Sequence, residues 1–544
     1  MATSPSVNIF ERDVSFTTKD VTSNNAAFAG LFRWGPVNEP VSVTTETALK
    51  TRFGVPTRAN NRTFHAAANY LNYAQPLLVV RASAKGLSNA FSAPVTVTGE
   101  GDAATKTTKP AILIKNDNHF DAVDTTGYSF IGRFPGALVN GLIVSVSGPE
   151  DFAEWQYRKQ FPYAPPKGSV HIVIVDGAGS VTGTAGYILE KYSDLTFVVG
   201  RKKEDGTSAY IAKALADQSA YVQAGDLDTI AAELTKAPKS FNSFVLDGGV
   251  DDFEQANGDF DSALDVFANK ETTVIGRIIT SEMPDSAKLK AISIAENRQD
   301  SFAVLGPNLA DILSNQKARD NVIKYFSETI NVSSSYYVVC DQHKYIYDKY
   351  NDVNIWISCD SDVAGLIART KAKQASWYSP AGTERGQLKN VLKLAWNPDK
   401  SDRDAMYPYN INSIVSFPGE GVVLFGDRTG LKSSSSFAAI NVRALFIDIE
   451  KNVATTARDR QFSFNDQYTR AQAANDITKY LATILAGRGI YDYKVVCDET
   501  NNTSAIIDSE QMVIDVYIKP TRVASTINIS FVNTPTSLSF AEIA

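Results

Sequence analysis

The sequence predicts a mixed α/β chain of several domains with extended arms, and three observations carry that reading. Between residues 236 and 400 apolar strands alternate with helical stretches, the pattern of a doubly wound, mostly parallel sheet. Between 91 and 235 Ser, Thr, Gly and β-branched residues dominate, as in a β-rich domain inserted into a core. Both ends carry short alternating stretches with too few apolar residues to bury themselves.

In chain order, residues 1–20 form an N-terminal arm, with apolar alternation at Val7 and Ile9. Residues 21–90 form the N-terminal part of the core: Ala26 to Phe32 reads as a buried strand stopped by Trp34-Gly35-Pro36. A helix is expected over 42–53, another over 63–74 with Phe64, Ala67 and Leu71 on one face, and an apolar strand at 77–80. The inserted region, 91–235, has strands near 94–98 and 141–146 and one helix within 205–218. In the middle α/β domain, 236–400, strands are expected at 244–246, 273–279, 302–305 and 336–339, with helices over 259–269, 283–298 and 315–326.

Residues 401–520 form a C-terminal α+β domain. A helix starts near Ile440, and the strongest helical pattern runs from Asp466 to Ala486, with Ile477, Leu481, Ile484 and Leu485 as its apolar stripe. Gly487 and Gly489 provide its stop, and Lys479 and Gln472 lie on its outer face. Residues 512–519 then alternate, with Ile514, Val516 and Ile518 on one side, before Pro520 ends the run. The C-terminal arm, 521–544, holds a second alternation at Ile527, Ile529 and Phe531 with no partner strand left in the sequence. An unpaired strand invites pairing with another chain, so these eight apolar positions (with Val7 and Ile9) are candidates for strand exchange between subunits.

The bulk numbers exclude several functions. A length of 544 residues allows about three or four domains. A net charge of −7 argues against binding nucleic acid through a broad basic surface. The sequence has neither an apolar run long enough to span a bilayer nor a secretory leader pattern, so no membrane insertion is expected. Three dispersed cysteines read as reduced thiols, and four histidines show no metal-ligand spacing. No metal or cofactor is expected.

Two enzyme signals fail on inspection. An apolar strand, Val173-Ile-Val, followed by Gly177, Gly179 and Gly183 has the look of a dinucleotide loop, yet the third glycine falls one residue late and Ser-Val-Thr between them favours a strand. A β-hairpin turn is the better reading of 176–183. The glycine-containing stretches at Thr383 and Phe417 lack the Gly-Lys-Ser/Thr ending of a phosphate loop. A nucleotide-dependent enzyme on 171–190, or a glycan-binding adhesin on 91–235, are the readings from other classes.

Several stretches, in order, resemble the tail sheath proteins of contractile bacteriophages. They are Phe28-Ala-Gly-Leu-Phe-Arg-Trp-Gly-Pro, Leu77-Leu-Val-Val-Arg, Gly132-Arg-Phe-Pro-Gly-Ala-Leu-Val-Asn-Gly, Asp247-Gly-Gly and Ala295-Glu-Asn-Arg-Gln-Asp. Further on come Ser361-Asp-Val-Ala-Gly-Leu-Ile-Ala-Arg-Thr, Ser416-Phe-Pro-Gly-Glu-Gly, Asn441-Val-Arg and Cys497-Asp-Glu-Thr-Asn-Asn-Thr. The chain departs at Val139, where a glycine is more usual, and at Ala444, where the family often has a second arginine.

The resemblance implies a middle domain of subtilisin-like shape without catalytic activity. It also implies six-fold rings of identical subunits stacked helically around an inner tail tube, held by strand exchange, with baseplate and tail terminator proteins as further partners. Assembly would take place in the host bacterial cytoplasm, and the product would be part of the virion. Contraction would drive the tube through the host envelope for DNA delivery, with no direct contact to nucleic acid. A tailocin or other contractile injection particle is the neighbouring reading. Lys479 is the candidate for contact with the tube.

Overall fold

The computed structural model describes residues 25–94, 96–98, 105–107, 109–236, 243–313 and 317–525. The described residues divide into two compact units, 25–443 and 444–525.

The larger unit is organised on a six-stranded sheet. Its strands are β1 (Ala26–Gly30), β2 (Pro40–Val43), β3 (Leu77–Arg81), β4 (Arg277–Ile279), β5 (Phe302–Leu305) and β6 (Tyr337–Val339). The order is β6-β5-β4-β1-β3-β2, parallel except for β2 at one edge. The mostly parallel sheet expected for 236–400 is therefore completed by strands from residues 26–81. β1 sits between β4 and β3, and every one of its residues is buried. That explains its uninterrupted apolar run, since a central parallel strand is covered on both faces.

Both faces are closed by helices of local origin. α1 (Glu46–Phe53) begins later than the expected residue 42, because Ser42 and Val43 extend β2 and Thr45 caps the helix by accepting from Ala48 N at 3.1 Å. α2 (Asn61–Leu71) buries Phe64 and Ala67, whereas Leu71 is only half-buried. α3 (Asp285–Arg298) and α4 (Asp360–Lys373) follow β4 and the hairpin of strands 343–348 and 353–358. In α4, Gly365 permits a close crossing: a Cβ there would stand 2.7 Å from Cβ of Tyr73.

Two expected elements are shorter than their patterns. The strand expected over 273–279 begins only at Arg277, because the Thr273 carbonyl is taken by Arg298 Nη2 at 2.9 Å. The helix expected over 259–269 ends at Asp265. The helix expected to reach Phe326 runs from Ala318 to Lys324 and continues as a π-helix to Ile330.

Among the described residues the β-rich region has a four-stranded and a three-stranded antiparallel sheet around an apolar cluster that includes Phe130, Val144, Ile172, Ile174 and Leu215, and a separate antiparallel pair, Thr96–Thr98 with Thr105–Thr107, where the strand near 94–98 was expected. Strands 142–147, 170–176 and 187–195 meander, and the strand Ser243–Val245, past the expected limit of 235, adds to the first of them. The expected helix within 205–218 spans Ile211–Gln218.

In the smaller unit, α5 (Ile440–Arg458) leads in from the larger one, and α6 (Gln467–Ala486) buries Ile477, Leu481 and Ile484. Leu485, expected in the same stripe, is 40% exposed, because its neighbour Ile484 already fills the inward position. Asp466 caps α6 by accepting from Thr469 N at 2.7 Å. Neither glycine supplies the left-handed stop; Arg488 does, at φ 64°. Then come β7 (Ile490–Val496) and β8 (Asp515–Pro520), paired antiparallel.

Candidate functional site

The motif residues meet first at the junction between the core sheet and the β-rich region. Arg81, at the end of β3, is 1% exposed and donates to the carbonyl oxygens of Gly35 at 3.0 Å and Pro135 at 2.7 Å. One cation thus ties the Trp-Gly-Pro turn, the end of the Leu-Val-Val-Arg strand and the Phe-Pro-Gly loop. Burial lowers its pKa to about 10, opposed by the nearby Asp251 carboxylate, so it stays charged. The amide of Asn140 exchanges two hydrogen bonds with Gly249, at 2.8 and 2.9 Å, which locks the Val-Asn-Gly stretch onto Asp-Gly-Gly. Val139, the departure from the usual glycine, is fully buried in the β-rich cluster. Arg298 of the Glu-Asn-Arg-Gln-Asp stretch holds Asp300 and the backbone of Phe267 and Thr273. These motifs are joints.

The glycine stretch at 176–183 is a hairpin turn, as expected. It links strands 170–176 and 187–195, and Gly186 N donates to Asp176 O at 2.8 Å. The Asp176 carboxylate accepts from Val181 N at 3.0 Å and Thr182 N at 2.8 Å. An internal carboxylate already occupies two of the amides that a phosphate would need.

The carboxyl ends of the parallel strands are where α/β folds place ligands, and a small polar cavity lies there between Arg62, Ser281, Glu282, Lys288, His343 and Asp360. Ser281 donates directly to Asp360. Burial raises Asp360 to about 6, against the opposing Ser281 bond and Lys288 charge. Burial, helped by Arg62 and Lys288, holds His343 well below the usual imidazole range, so it is neutral. Lys288 is depressed by burial and is held by Gly306 O, Asn308 and Tyr325 at 2.9–3.1 Å. Among the described residues no serine is hydrogen-bonded to a histidine, and no group of His, Cys, Asp and Glu has a metal-binding arrangement. Next to it, Lys344 is fully buried and bonds Asp362 at 2.8 Å and Asn69 at 2.9 Å, while Tyr73 donates to Asp362 at 2.7 Å. Such a network fixes α2 against α4.

The candidate assembly site is the C-terminal hairpin. β7 and β8 form a sheet of two strands, with Val516 opposite Val495 and Ile518 opposite Tyr493; Ile514 lies just ahead of β8. Val516 and Ile518, candidates for exchange between subunits, thus already have a partner strand in their own chain, one that the sequence reading did not assign. Alternation at Tyr491, Tyr493 and Val495 was the available signal. The connection is built on Asn502, which is buried: its side chain donates to Val513 O at 2.9 Å and accepts from Val513 N at 2.8 Å. Asn501 reaches Val496 O and the Asp515 carboxylate, both at 2.9 Å. The Asp-Glu-Thr-Asn-Asn-Thr stretch therefore sets the hairpin register. Among the described residues, the outer edge of each strand has no partner in the sheet. Val7, Ile9, Ile527, Ile529 and Phe531 lie outside the described residues. Lys479 stands on the exposed side of α6, its nearest carboxylate, Asp476, at 4.0 Å and bonded to Arg460 at 2.6 Å.

Segments of both units are similar to known proteins. The chain matches the model of the phage tail sheath protein central domain over residues 254–430, that of the phage tail sheath C-terminal domain over 432–534, and that of the tail sheath protein Gp18 domain III N-terminal region over 26–82. The chain belongs to the phage tail sheath family. The tail sheath protein of Salmonella phage ViI is 28% identical over a 642-residue alignment covering 99% of this chain and 97% of that one. That of Enterobacteria phage T4 is 29% identical over 653 residues, covering 99% of each. In fold, the chain is similar to the sheath tail protein of Listeria innocua, at a TM-score of 0.55 and 11% identity, over 91% of this chain and 94% of that one. The β-rich region falls between the first and second matched segments of the chain.

Proposed function

We propose that this sheath-family chain is a structural subunit of a contractile tail, a component of the virion that acts without a catalytic step. It polymerises as stacked six-fold rings around an inner tube, bounded by baseplate and terminator proteins, and assembles in the host bacterial cytoplasm. Contraction drives the tube through the host envelope. The supporting observation is the β7–β8 hairpin: a two-stranded sheet is marginal alone and gains stability when strands are added at its open edges. The alternating arms around Val7 and Ile9, and around Ile527, Ile529 and Phe531, are the segments that would supply those strands from neighbouring subunits. The β-rich inserted region, expected over 91–235, would form the outer domain of the subunit.

The test is electron microscopy of the purified protein, full length and lacking residues 1–20 and 521–544. Striated tubes from the full chain and none from the trimmed one are expected. A full-length chain that stays monomeric at all concentrations, with and without a tube protein, overturns the reading. Lys479→Glu is expected to weaken assembly templated by a tube; unchanged templated assembly removes Lys479 from that contact.

A further inference from the structure

A cationic face surrounds Tyr73 at the carboxyl end of α4. The Arg369 guanidinium lies 5.3 Å from the Tyr73 ring centre and Lys389 Nζ 5.2 Å from it. Arg369 donates to the carbonyls of Arg385 and Gln387, and Lys389 to that of Asn72, so backbone oxygens fix the positions of both cations. Lys373 completes the group, and both lysines are exposed. Partial burial together with the positive charges of Arg369 and Lys373 depresses the Lys389 pKa. Among the described residues none of the three has a carboxylate at ion-pairing distance, although the chain carries seven more acidic than basic residues. Elsewhere surface cations do find carboxylates, as in Lys349 with Glu46 and Lys519 with Asp492.

The complement lies in the same sequence. From 495 to 518 there is no Lys or Arg, and five carboxylates fall within the hairpin connection: Asp498, Glu499, Asp508, Glu510 and Asp515. Asn501 and Asn502 hold that connection in one shape. None of the five forms an ion pair among the described residues, and Asp498, Glu499, Asp508 and Glu510 are exposed.

We propose that the Tyr73 face of one subunit docks the 498–515 connection of a second copy. The inference rests on the polymer proposed above and adds one of its contacts. Two different, complementary surfaces on every copy make a heterologous contact, which propagates into open helical arrays when its rotation does not close. Opposite charge would both steer the encounter and fix its register. Arg369 and Lys389, already held over one aromatic ring and by backbone carbonyls, lose less freedom on docking than unrestrained cations.

The test uses full-length variants K373E/K389E and E499K/D508K, followed by sedimentation and electron microscopy, with circular dichroism to show that each is folded. Each variant alone is expected to need about tenfold more protein than wild type to polymerise, as the loss of facing charge pairs implies. An equimolar mixture is expected to polymerise like wild type, because the exchanged charges are again opposite across every contact; unfolded chains cannot give this recovery. Either variant polymerising like wild type overturns the proposal. Recovery in a single chain carrying all four changes, without recovery in the mixture, assigns the contact to one chain and also overturns it. Loss that neither arrangement restores points to another acidic partner, such as a tube protein, and overturns it too. If wild type itself fails to polymerise, the sheath reading falls and this contact with it; if wild type polymerises and the variants do so equally, the contact falls alone.

Discussion

The core sheet and the C-terminal hairpin use the same backbone chemistry to opposite ends. The core sheet manages its edges internally. β2, at one end, is four residues long and begins with Pro40, which has no N–H to offer. β6, at the other, is three residues long, and Gly430 N covers the carbonyl of Tyr337 at 2.9 Å. β7 and β8 are seven and six residues long with neither outer edge paired among the described residues. One sheet is finished within the larger unit; the other leaves both outer edges unpaired among the described residues. The larger unit holds a fully buried ion pair, Lys344–Asp362, whereas the hairpin's own pair, Lys519–Asp492, is mostly exposed.

The contrast can be broken most forcefully at the buried pair. Lys344→Ala strands Asp362 in the core and is expected to cost about 3–5 kcal/mol, read from denaturant unfolding. Asn502→Ala removes both bonds to Val513 and is expected to cost about 1–3 kcal/mol, confined to the C-terminal unit, with tube formation lost before the core melts. Limited proteolysis during thermal unfolding would separate the two units.

A change of pH sharpens the comparison further. Burial pushes Asp341 up to about 7 in the core, opposed by the bond from Ile414 N. Its folded pKa lies above the unfolded one, so its contribution is fully present at pH values below the ordinary carboxylate range and is lost as pH rises through about 7. In the hairpin, the Lys519 bond lowers Asp492, and bonds from Thr500 lower Asp498, which gives the opposite slope at acid pH. Asp341→Asn is expected to flatten the decline in core melting temperature between mildly acidic and neutral pH. The smallest effect is expected from Lys519→Ala, with no measurable change in melting, since both partners are exposed.

Much of this division was legible in the sequence wherever local pattern decides the outcome. The continuous apolar run of β1 marks a strand buried on both faces, and the spacing of Ile477, Leu481 and Ile484 marks the inner face of α6. The turn at 176–183 was readable because Ser-Val-Thr opposes a helix start. Pairing between distant segments was not. Nothing near β1 announces β4, about 250 residues away, and Asp492 and Lys494 break up the apolar content that would mark β7 as a strand. Stops chosen by packing were equally hidden: Thr273 looks like strand until Arg298 claims its carbonyl, and Arg488, a residue with no glycine-like freedom, takes the left-handed position after α6. The motifs that carry the family resemblance gave the identity of the family but not their own function as joints, because the carbonyls that meet at Arg81 come from loops about 100 residues apart.

The ends of the β-rich region run side by side. Phe91 and Asp247 exchange backbone bonds at 2.9 and 3.0 Å, and Ser88 and Val250 do so at 3.3 and 3.2 Å. Whatever lies between them leaves and re-enters the core through one narrow port. Such a port makes the intervening stretch a cartridge: evolution can lengthen, trim or exchange it while β1, β3 and β4 keep their registers. An engineer could likewise replace it with a foreign domain whose own termini are about 5 Å apart, the spacing of paired antiparallel residues, and display one cargo on every subunit of the tail.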